Sequence, residues 1–117
     1  MRIVKFKYFK ESKFEDELLN FTNNHLSYLI DDNINIEVNY LEKEELVEIS
    51  IFKNEWIYWS KIKDDVIPFL SSLNSEYNIT GVNIESVTRT YKYNIEDILN
   101  DKNNIDLIAT LAIYIKK

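Results

Sequence analysis

The chain has 117 residues, the commonest size of a single domain, and 45% of them are apolar, which excludes wholesale disorder. It has no cysteine, one glycine and one histidine, which excludes disulfides, thiolate metal sites and glycine-rich phosphate loops. Its net charge of −6 disfavours direct nucleic-acid binding and favours a basic protein partner. We interpret residues 1–117 as a single α+β domain.

The composition also bears on location and origin. No run approaches the ~18 apolar residues of a membrane span, and the N-terminus lacks the apolar stretch of a signal peptide. The expected location is therefore cytoplasmic, with no membrane partner. Asparagine and isoleucine are abundant while alanine and glycine are scarce, a bias that favours an AT-rich bacterial or phage genome.

The first predicted element is a half-buried strand, because lysines alternate with apolar residues in RIVKFKYF. A helix of about five turns is predicted next, with apolar residues at helical spacing from Phe14 to Leu29 and an end near residues 31–33. Ser12 and Glu15 have the spacing of a capping box, in which the hydroxyl and the carboxylate each satisfy a free N–H at the helix start.

Residues 34–40 and 46–52 alternate apolar and polar side chains and predict a β-hairpin with a four-residue acidic turn. The simplest interpretation of this turn is a solvated loop whose charge keeps other strands away from a sheet edge. The alternative is an acidic prong that steers the chain toward a basic partner. The carboxylates of the turn and of the strand that follows are Glu42, Glu44, Glu45 and Glu48.

The segment NEWIYWSKIKDD, residues 54–65, contains both tryptophans of the chain. If it is extended, Trp56 and Tyr58 share one face and Trp59 lies on the other, so that one face enters the core. If a helix begins near its start, Trp59 joins the apolar stripe of that helix instead. In both cases at least one large aromatic ring is predicted to reach the surface, where such rings anchor protein partners.

A second helix is predicted from the apolar spacing of residues 62–77. Pro68 lies opposite its apolar stripe, which fits a proline on the solvent side of the helix. Alternatively, the helix begins at Asp65 and Pro68 lies in the first turn. Asp64 and Asp65 are then explained by the early turns of the helix, where its dipole favours acidic side chains.

The C-terminal third is predicted to be mostly strand. NITG predicts a turn at residues 78–81, and residues 82–93 predict a strand whose alternation slips near Val87, as at a β-bulge. Asn94 is the predicted cap of a short helix. Residues 105–116 alternate apolar and polar side chains and carry further apolar residues on the second face, which predicts the central strand of the sheet.

The predicted fold is α+β, a mainly antiparallel sheet of about five strands with two main helices on one face. The element order matches the ferredoxin-like β-α-β-β-α-β arrangement, followed by a short helix and a C-terminal strand. The first strand would then lie inside the sheet, where Lys5 and Lys7 would face Glu48 and Glu85 in a cross-strand charge lattice. The alternative for these lysines is a basic binding patch.

The candidate catalytic groups form no recognisable constellation. His25 lies in the apolar stripe of the first helix and is interpreted as a structural imidazole, because no orienting carboxylate or nucleophile is identifiable. Adjacent carboxylates point in different directions, so their adjacency does not make a catalytic dyad. Neither a zinc site nor a calcium loop is indicated. We therefore predict a non-enzymatic protein without a cofactor or metal.

The charge and the aromatic segment favour a small acidic protein that binds and neutralises a protein partner, such as an immunity protein or phage inhibitor acting on a basic nuclease toxin. The alternatives are a small-ligand or regulatory domain with a crevice near Tyr77, Tyr91 and Tyr93, a homo-oligomeric structural subunit, or an enzyme with a carboxylate acid or base. The predicted partner-binding residues are Trp56, Tyr58, Trp59, Glu42, Glu44, Glu45, Glu48, Asp64 and Asp65.

Overall fold

The computed structural model describes residues 5–6, 13–27, 29, 33–86, 89–100 and 105–116. These residues form an α+β structure with five antiparallel strands, a two-residue edge strand and three helices. The strands are β1 (Lys5–Phe6), β2 (Asn35–Leu41), β3 (Leu46–Tyr58), β4 (Asn78–Ser86), β5 (Thr90–Tyr93) and β6 (Leu107–Lys116). The helices are α1 (Lys13–His25), α2 (Trp59–Glu76) and α3 (Ile95–Leu99).

The sheet has the strand order β1-β2-β3-β6-β4-β5, so the C-terminal strand lies near its centre. β6 pairs antiparallel with β3 on one side and with β4 on the other. The prediction of a central C-terminal strand is therefore confirmed. β6 contributes Ile108, Leu111, Ile113 and Ile115 to the core, and on its other face the small Ala112 is buried as well.

The strand order differs from the ferredoxin-like arrangement that the sequence predicted. β1 lies at the edge, not inside the sheet, and pairs in parallel with β2, with Lys5 opposite Glu37. The predicted lattice of Lys5 with Glu48 and Glu85 is therefore wrong, because neither of those strands neighbours β1. Lys7 lies outside the described residues. The more apolar β6 occupies the place that β1 would take in a ferredoxin-like sheet.

All three helices contribute to one apolar core on a single face of the sheet. Alternate residues of each long strand point into this layer, and full burial of each such side chain stabilises the fold by roughly 1.5–3 kcal/mol. Representative core residues from the strands and the helices are Ile36, Ile49, Ile84, Ile113, Leu18, Phe69 and Ile98. The opposite face, which we call the open face, is mainly polar.

Helix α1 ends at His25 and is followed by a bend at Leu26, whose N–H still bonds the Thr22 oxygen at 2.9 Å. Ser27 and Leu29 beyond the bend are again helical, so helical backbone extends toward the predicted end. The Thr22 hydroxyl donates a 2.7 Å bond to the oxygen of Leu18, which satisfies this buried polar group within the helix. The predicted capping box involves Ser12, which lies outside the described residues, as does the predicted acidic end at residues 31–32.

The β2–β3 hairpin forms as predicted. Leu41 pairs with Leu46, and residues 42–45 make the four-residue turn between them. The Glu45 N–H donates a 3.3 Å bond to the Glu42 oxygen, and Glu45 has a left-handed backbone with φ 55°. Short hairpin loops usually contain a residue with positive φ, because this backbone conformation matches the twist of the two strands. Glycine is the common residue at such a position, but here it is a glutamate.

Helix α2 contains Pro68 in its interior, on the exposed side, which agrees with the first of the two predicted placements. Asp64 and Asp65 lie beyond the first turn, which contains no acidic residue, so their explanation by the helix start is wrong.

The turn predicted at residues 78–81 is also wrong, because β4 begins directly at Asn78. Tyr77 alone connects α2 to β4, and its backbone N–H donates a 2.8 Å hydrogen bond to the Leu73 oxygen.

The segment read as one strand near Val87 is a hairpin of β4 and β5. The Ser86 N–H donates a 2.9 Å bond to the Arg89 oxygen at its closed end, and Val87 itself lies outside the described residues. Asn94 occupies the predicted N-cap position of α3, but its side chain makes no capping bond. The N–H of Asp97 donates to the Asn94 backbone oxygen at 3.2 Å instead.

Among the described residues, no helix combines the length and apolar character needed to span a membrane.

Candidate functional site

An irregularity in β3 creates the most exposed aromatic surface of the described residues. Phe52 pairs with Thr110 of β6 and Ile57 pairs with Ile108, so residues 53–56 of β3 oppose the single residue Ala109. Residues 53–56 therefore lie outside the hydrogen-bond ladder of β3 and β6, and pairing resumes at Ile57. We call residues 53–58 the aromatic bulge, because the unpaired residues 53–56 include Trp56 and the strand rejoins β6 at Ile57 and Tyr58.

The rings of the aromatic bulge are presented outward. Trp56 is 47% exposed and Tyr58 is 50% exposed, whereas Ile57 between them is buried. Tyr91 on β5 is the other exposed large ring among the described residues. Trp59, the first residue of α2, is only 3% exposed and belongs to the core. It is therefore removed from the predicted partner-binding set, while Trp56 and Tyr58 remain in it.

A groove of ≈ 400 Å³ runs beside the two exposed rings. Its floor is formed by the apolar residues Ile34 and Ile62, and Trp56 and Tyr58 are part of its walls. The groove lies between the start of α2 and the end of the β2–β3 pair, because β2 begins opposite Phe52 and leaves this end of β3 uncovered. A large flat ring next to such a groove is typical of an interface anchor.

The charges nearest to this groove are basic. Lys53 and Lys61 line it, and Lys53 Nζ lies 4.0 Å from Glu55 Oε2, a solvent-exposed pair that contributes little energy. Asp64 and Asp65 lie one helical turn beyond Lys61. Lysines therefore stand at the rim nearest to the rings, with Glu55 beside Lys53, and the predicted partner-binding residues Asp64 and Asp65 lie further along α2.

The acidic turn lies at the opposite end of β3 from the aromatic bulge. Glu42, Glu44 and Glu45 are exposed there, as expected for a solvated hairpin turn. Residues 46 to 52 separate the two features, and at ~3.3 Å per strand residue they place them more than about 20 Å apart. The structure therefore does not bring the turn and the rings together into one small patch.

The open face of the sheet contains a hollow of ≈ 230 Å³ near its centre. Its floor is formed by Ser50 of β3 and Ala112 of β6, which are paired neighbours with small side chains. Larger side chains surround them, so both floor residues are almost fully buried although none of the described helices covers this face. The walls include Glu48, Asn83, Glu85 and Tyr114, and two threonines complete the rim. We call this the open-face hollow.

Glu48 and Tyr114 form the polar end of the open-face hollow. They are paired across β3 and β6, and burial first, then the hydrogen bond and charge of Glu48, raise the pKa of the Tyr114 phenol above its usual value. A hydrogen bond from Asn83 acts in the opposite direction on this pKa. The phenol therefore stays protonated and serves as a donor to the carboxylate. Of the predicted acidic site residues, Glu48 lines the open-face hollow, and Glu44 lines a neighbouring cavity together with Lys92 and Tyr93.

The two carboxylates of the hollow come from backbone positions that lie far apart. Glu48 pairs with Tyr114, and Glu85 pairs with Thr110, four residues away along β6 and two strands across. Strand spacings put their Cα atoms on the order of 16 Å apart. His25 does not line the hollow; it is exposed, stacks on Phe21 at 4.2 Å and places Nδ1 2.9 Å from the Phe21 oxygen.

The crevice predicted near Tyr77, Tyr91 and Tyr93 does not form as one site. Tyr77 packs edge-on against Phe14 and Phe21 of α1, with ring centroids 5.8 and 5.9 Å apart. Tyr91 and Tyr93 contact each other on β5, at 6.2 Å. Tyr77 and the other two tyrosines therefore belong to separate clusters.

Within the described part of the chain, no group of three or more histidine, aspartate or glutamate side chains could hold a metal ion. No protein-family model, curated protein or solved structure matched the chain. The aromatic bulge and the open-face hollow are therefore interpreted from their own geometry and chemistry.

The sequence analysis selected Trp56, Tyr58 and Glu48 as candidate binding residues, but it did not predict the open-face hollow. The strand alternation places Glu48 on the polar face, yet the hollow depends on which strands become neighbours. Asn83, Ala112 and Tyr114 come from distant parts of the chain. The available signal was the pair of small residues, Ser50 and Ala112, on the polar faces of otherwise large-residue strands.

Proposed function

We propose that this chain is a non-enzymatic protein that binds and neutralises a basic protein partner, with Trp56 and Tyr58 as its anchors. An immunity protein or a phage-encoded inhibitor, with a nuclease toxin as its target, is the functional type that this proposal describes. A cytoplasmic location fits the same proposal.

The observation that carries the proposal is the exposure of Trp56 and Tyr58 on a fixed backbone. The strand rejoins its ladder at Ile57 and Tyr58, and Trp59, which follows them, is buried, so both exposed rings have anchored neighbours. A ring that is already positioned loses little conformational entropy on binding. Tryptophan and tyrosine in this setting are the residues that most often dominate the energy of an interface.

The sign of the partner's charge follows from the net charge of −6. Acidic residues on the open face and in the hairpin turn would steer a basic partner by long-range attraction. Tyr58 pairs with Leu107 of β6, and Thr110, at the rim of the hollow, lies three residues further along the same strand. Three strand residues span about 10 Å, so the Tyr58 position and the rim of the hollow are that far apart along β6. A partner of ordinary interface size would therefore reach both the rings and the open face.

The proposal is tested by affinity capture from the organism that encodes the chain, with the wild-type protein and Trp56→Ala as parallel baits. We expect the wild-type bait to retain a basic protein that Trp56→Ala loses, and calorimetry to show weaker binding as salt is raised. Equal capture by both baits, or salt-insensitive binding, would contradict the proposal.

Glu96→Gln is a suitable control for a general charge effect, because Glu96 is exposed on α3, which contributes no residue to the groove beside the two rings. It should capture the partner as the wild type does. Light scattering of the wild type and Trp56→Ala distinguishes the homo-oligomeric alternative. If the rings bind a second copy of the chain, the wild type will have the larger mass and the proposed heterologous partner is wrong.

A further inference from the structure

We infer that the open-face hollow is a receptor for an arginine side chain presented by the partner protein, with the guanidinium group at the Glu48–Tyr114 end. The inference rests on the proposed function, because it names the side chain by which a basic partner is recognised. It adds a second binding site to the aromatic anchors.

The size of the hollow selects a single side chain. Its ≈ 230 Å³ is smaller than the roughly 300–1,000 Å³ of sites that enclose drug-sized molecules or cofactors. The small side chains of Ser50 and Ala112 form the floor, over which the aliphatic part of a long side chain would lie. The hollow opens on a face that none of the described helices covers, so a protruding side chain can enter from above.

The walls of the hollow favour a cation. None of the residues that line it is a lysine or an arginine, and two are glutamates. Lys92, which stands opposite Asn83 on the edge strand β5, does not line it. The described residues therefore place no cation in the hollow beside Glu48, and a cationic group from a partner would complement it.

The arrangement of acceptors favours arginine over lysine. The Glu48 carboxylate has about four acceptor positions, of which the Tyr114 phenol uses one, and Asn83 adds an amide oxygen. The planar guanidinium presents five donors in a fixed fork and can also lie against an aromatic ring such as that of Tyr114. An ammonium group would use fewer of these acceptors.

A titration of the isotope-labelled protein with N-acetyl-arginine methylamide tests the inference by NMR. We expect saturable shifts of the amide resonances of Glu48, Asn83 and Tyr114. Glu48→Gln should weaken the affinity about tenfold, because a hydrogen bond to a charged group is lost. The neutral analogue N-acetyl-citrulline methylamide, which has nearly the same shape, should produce no saturable shifts.

Glu42→Gln is the matched control, since it removes one carboxylate from the exposed turn and leaves the hollow intact. Its affinity for the arginine probe should equal that of the wild type. Glu85→Gln, at the far end of the hollow, should weaken binding less than Glu48→Gln does. Absence of saturable shifts, equal shifts with the citrulline probe, an equal effect of Glu42→Gln, or a larger effect of Glu85→Gln would overturn the inference.

The probe experiment needs no protein partner, so its failure is distinguishable from failure of the proposed function. If the arginine probe does not bind but Trp56→Ala loses a captured protein, the hollow is not the receptor and the proposed function stands. If the probe binds but no protein depends on Trp56, the hollow stands as a cation site and the proposed function is wrong. Circular dichroism of each variant confirms that it is folded.

Discussion

The backbone N–H of Trp59 donates a 2.8 Å hydrogen bond to the carbonyl oxygen of Asp106, directly beyond the last β3–β6 residue pair, Tyr58 and Leu107. The ladder of β3 and β6 is thereby extended into the first residue of α2. Because the Trp59 ring is also buried, the junction is fixed by both its backbone and its side chain. This double attachment is what holds Trp56 and Tyr58 outward on the preceding residues.

The two tryptophans are expected to differ strongly in their effect on stability. Trp59→Ala should lower the free energy of unfolding by about 3–5 kcal/mol, because it empties a large buried site. Trp56→Ala should cost about 1 kcal/mol or less, because the ring is half exposed. Urea unfolding followed by circular dichroism measures both values. A loss of several kcal/mol in Trp56→Ala would show that its ring supports the core rather than a partner.

Fluorescence offers an independent check of the same contrast. In Trp56→Phe the remaining Trp59 should emit at short wavelength and resist quenching by iodide, as a buried indole does. In Trp59→Phe the remaining Trp56 should emit at longer wavelength and be readily quenched. Similar spectra for the two variants would contradict the assigned burial.

Much of the local structure could be predicted from the sequence, because it depends on neighbouring residues. The β2–β3 hairpin follows from strict alternation on both sides of an acidic turn, and in the extended alternative the shared face of Trp56 and Tyr58 follows from alternation around Ile57. The long second helix, with Pro68 on its exposed side, follows from the apolar spacing. These features require no knowledge of which distant segments meet.

The remaining features depend on pairing between distant segments. The strand order places β6 between β3 and β4 and leaves β1 at the edge, so it depends on pairing between segments that are far apart in the chain. The aromatic bulge arises where residues 53–56 oppose Ala109, and nothing in the local sequence marks it, since no glycine or proline lies there. The open-face hollow requires residues from the four strands β3, β4, β5 and β6. Local periodicity carries no information on such pairings.

Glu45 offers a way to stabilise the hairpin. Its φ of 55° lies in the left-handed region, which costs roughly 1 kcal/mol for a residue with a β-carbon and almost nothing for glycine. Glu45→Gly should therefore raise the free energy of unfolding by about 1 kcal/mol in a urea titration. Glu44→Gly, one residue earlier and without a positive φ, is the control and should not stabilise the protein. A gain of the same size in both variants would assign the effect to charge removal rather than to the backbone.

Pro68 should be a destabilising residue in α2. It has no N–H to offer the Asp64 carbonyl oxygen, and its ring crowds the preceding turn. Because Pro68 is exposed, Pro68→Ala should restore the helical bond without removing core contacts and raise the free energy of unfolding by about 1–3 kcal/mol. Ser71→Ala, also exposed in the same helix, should change it by only a few tenths of a kcal/mol. No gain in thermal unfolding temperature for Pro68→Ala would show that the helix has adapted to the proline.

The stability of the fold should decrease at alkaline pH because three tyrosines resist ionisation in the folded state. Burial is the main cause that raises the pKa of Tyr77, Tyr93 and Tyr114, and it is reinforced by Glu17 and Glu76 at Tyr77, by Tyr91 at Tyr93 and by Glu48 at Tyr114.

The sign of the pH dependence follows from these raised values. The unfolded chain releases these protons near its ordinary pKa of 10.0, before the folded protein does. The stabilisation is therefore complete below that pH and is lost as the pH rises through the folded values, by at most about 1.4 kcal/mol per pH unit for each tyrosine. Urea unfolding between about pH 9 and pH 11 should show this fall.

Tyr114→Phe should reduce the slope of unfolding free energy against pH, whereas Tyr58→Phe, at an exposed ring outside these three environments, should leave more of that slope in place. Identical slopes in the two variants, or stability that rises with pH, would show that the open-face environment of Tyr114 does not hold its proton.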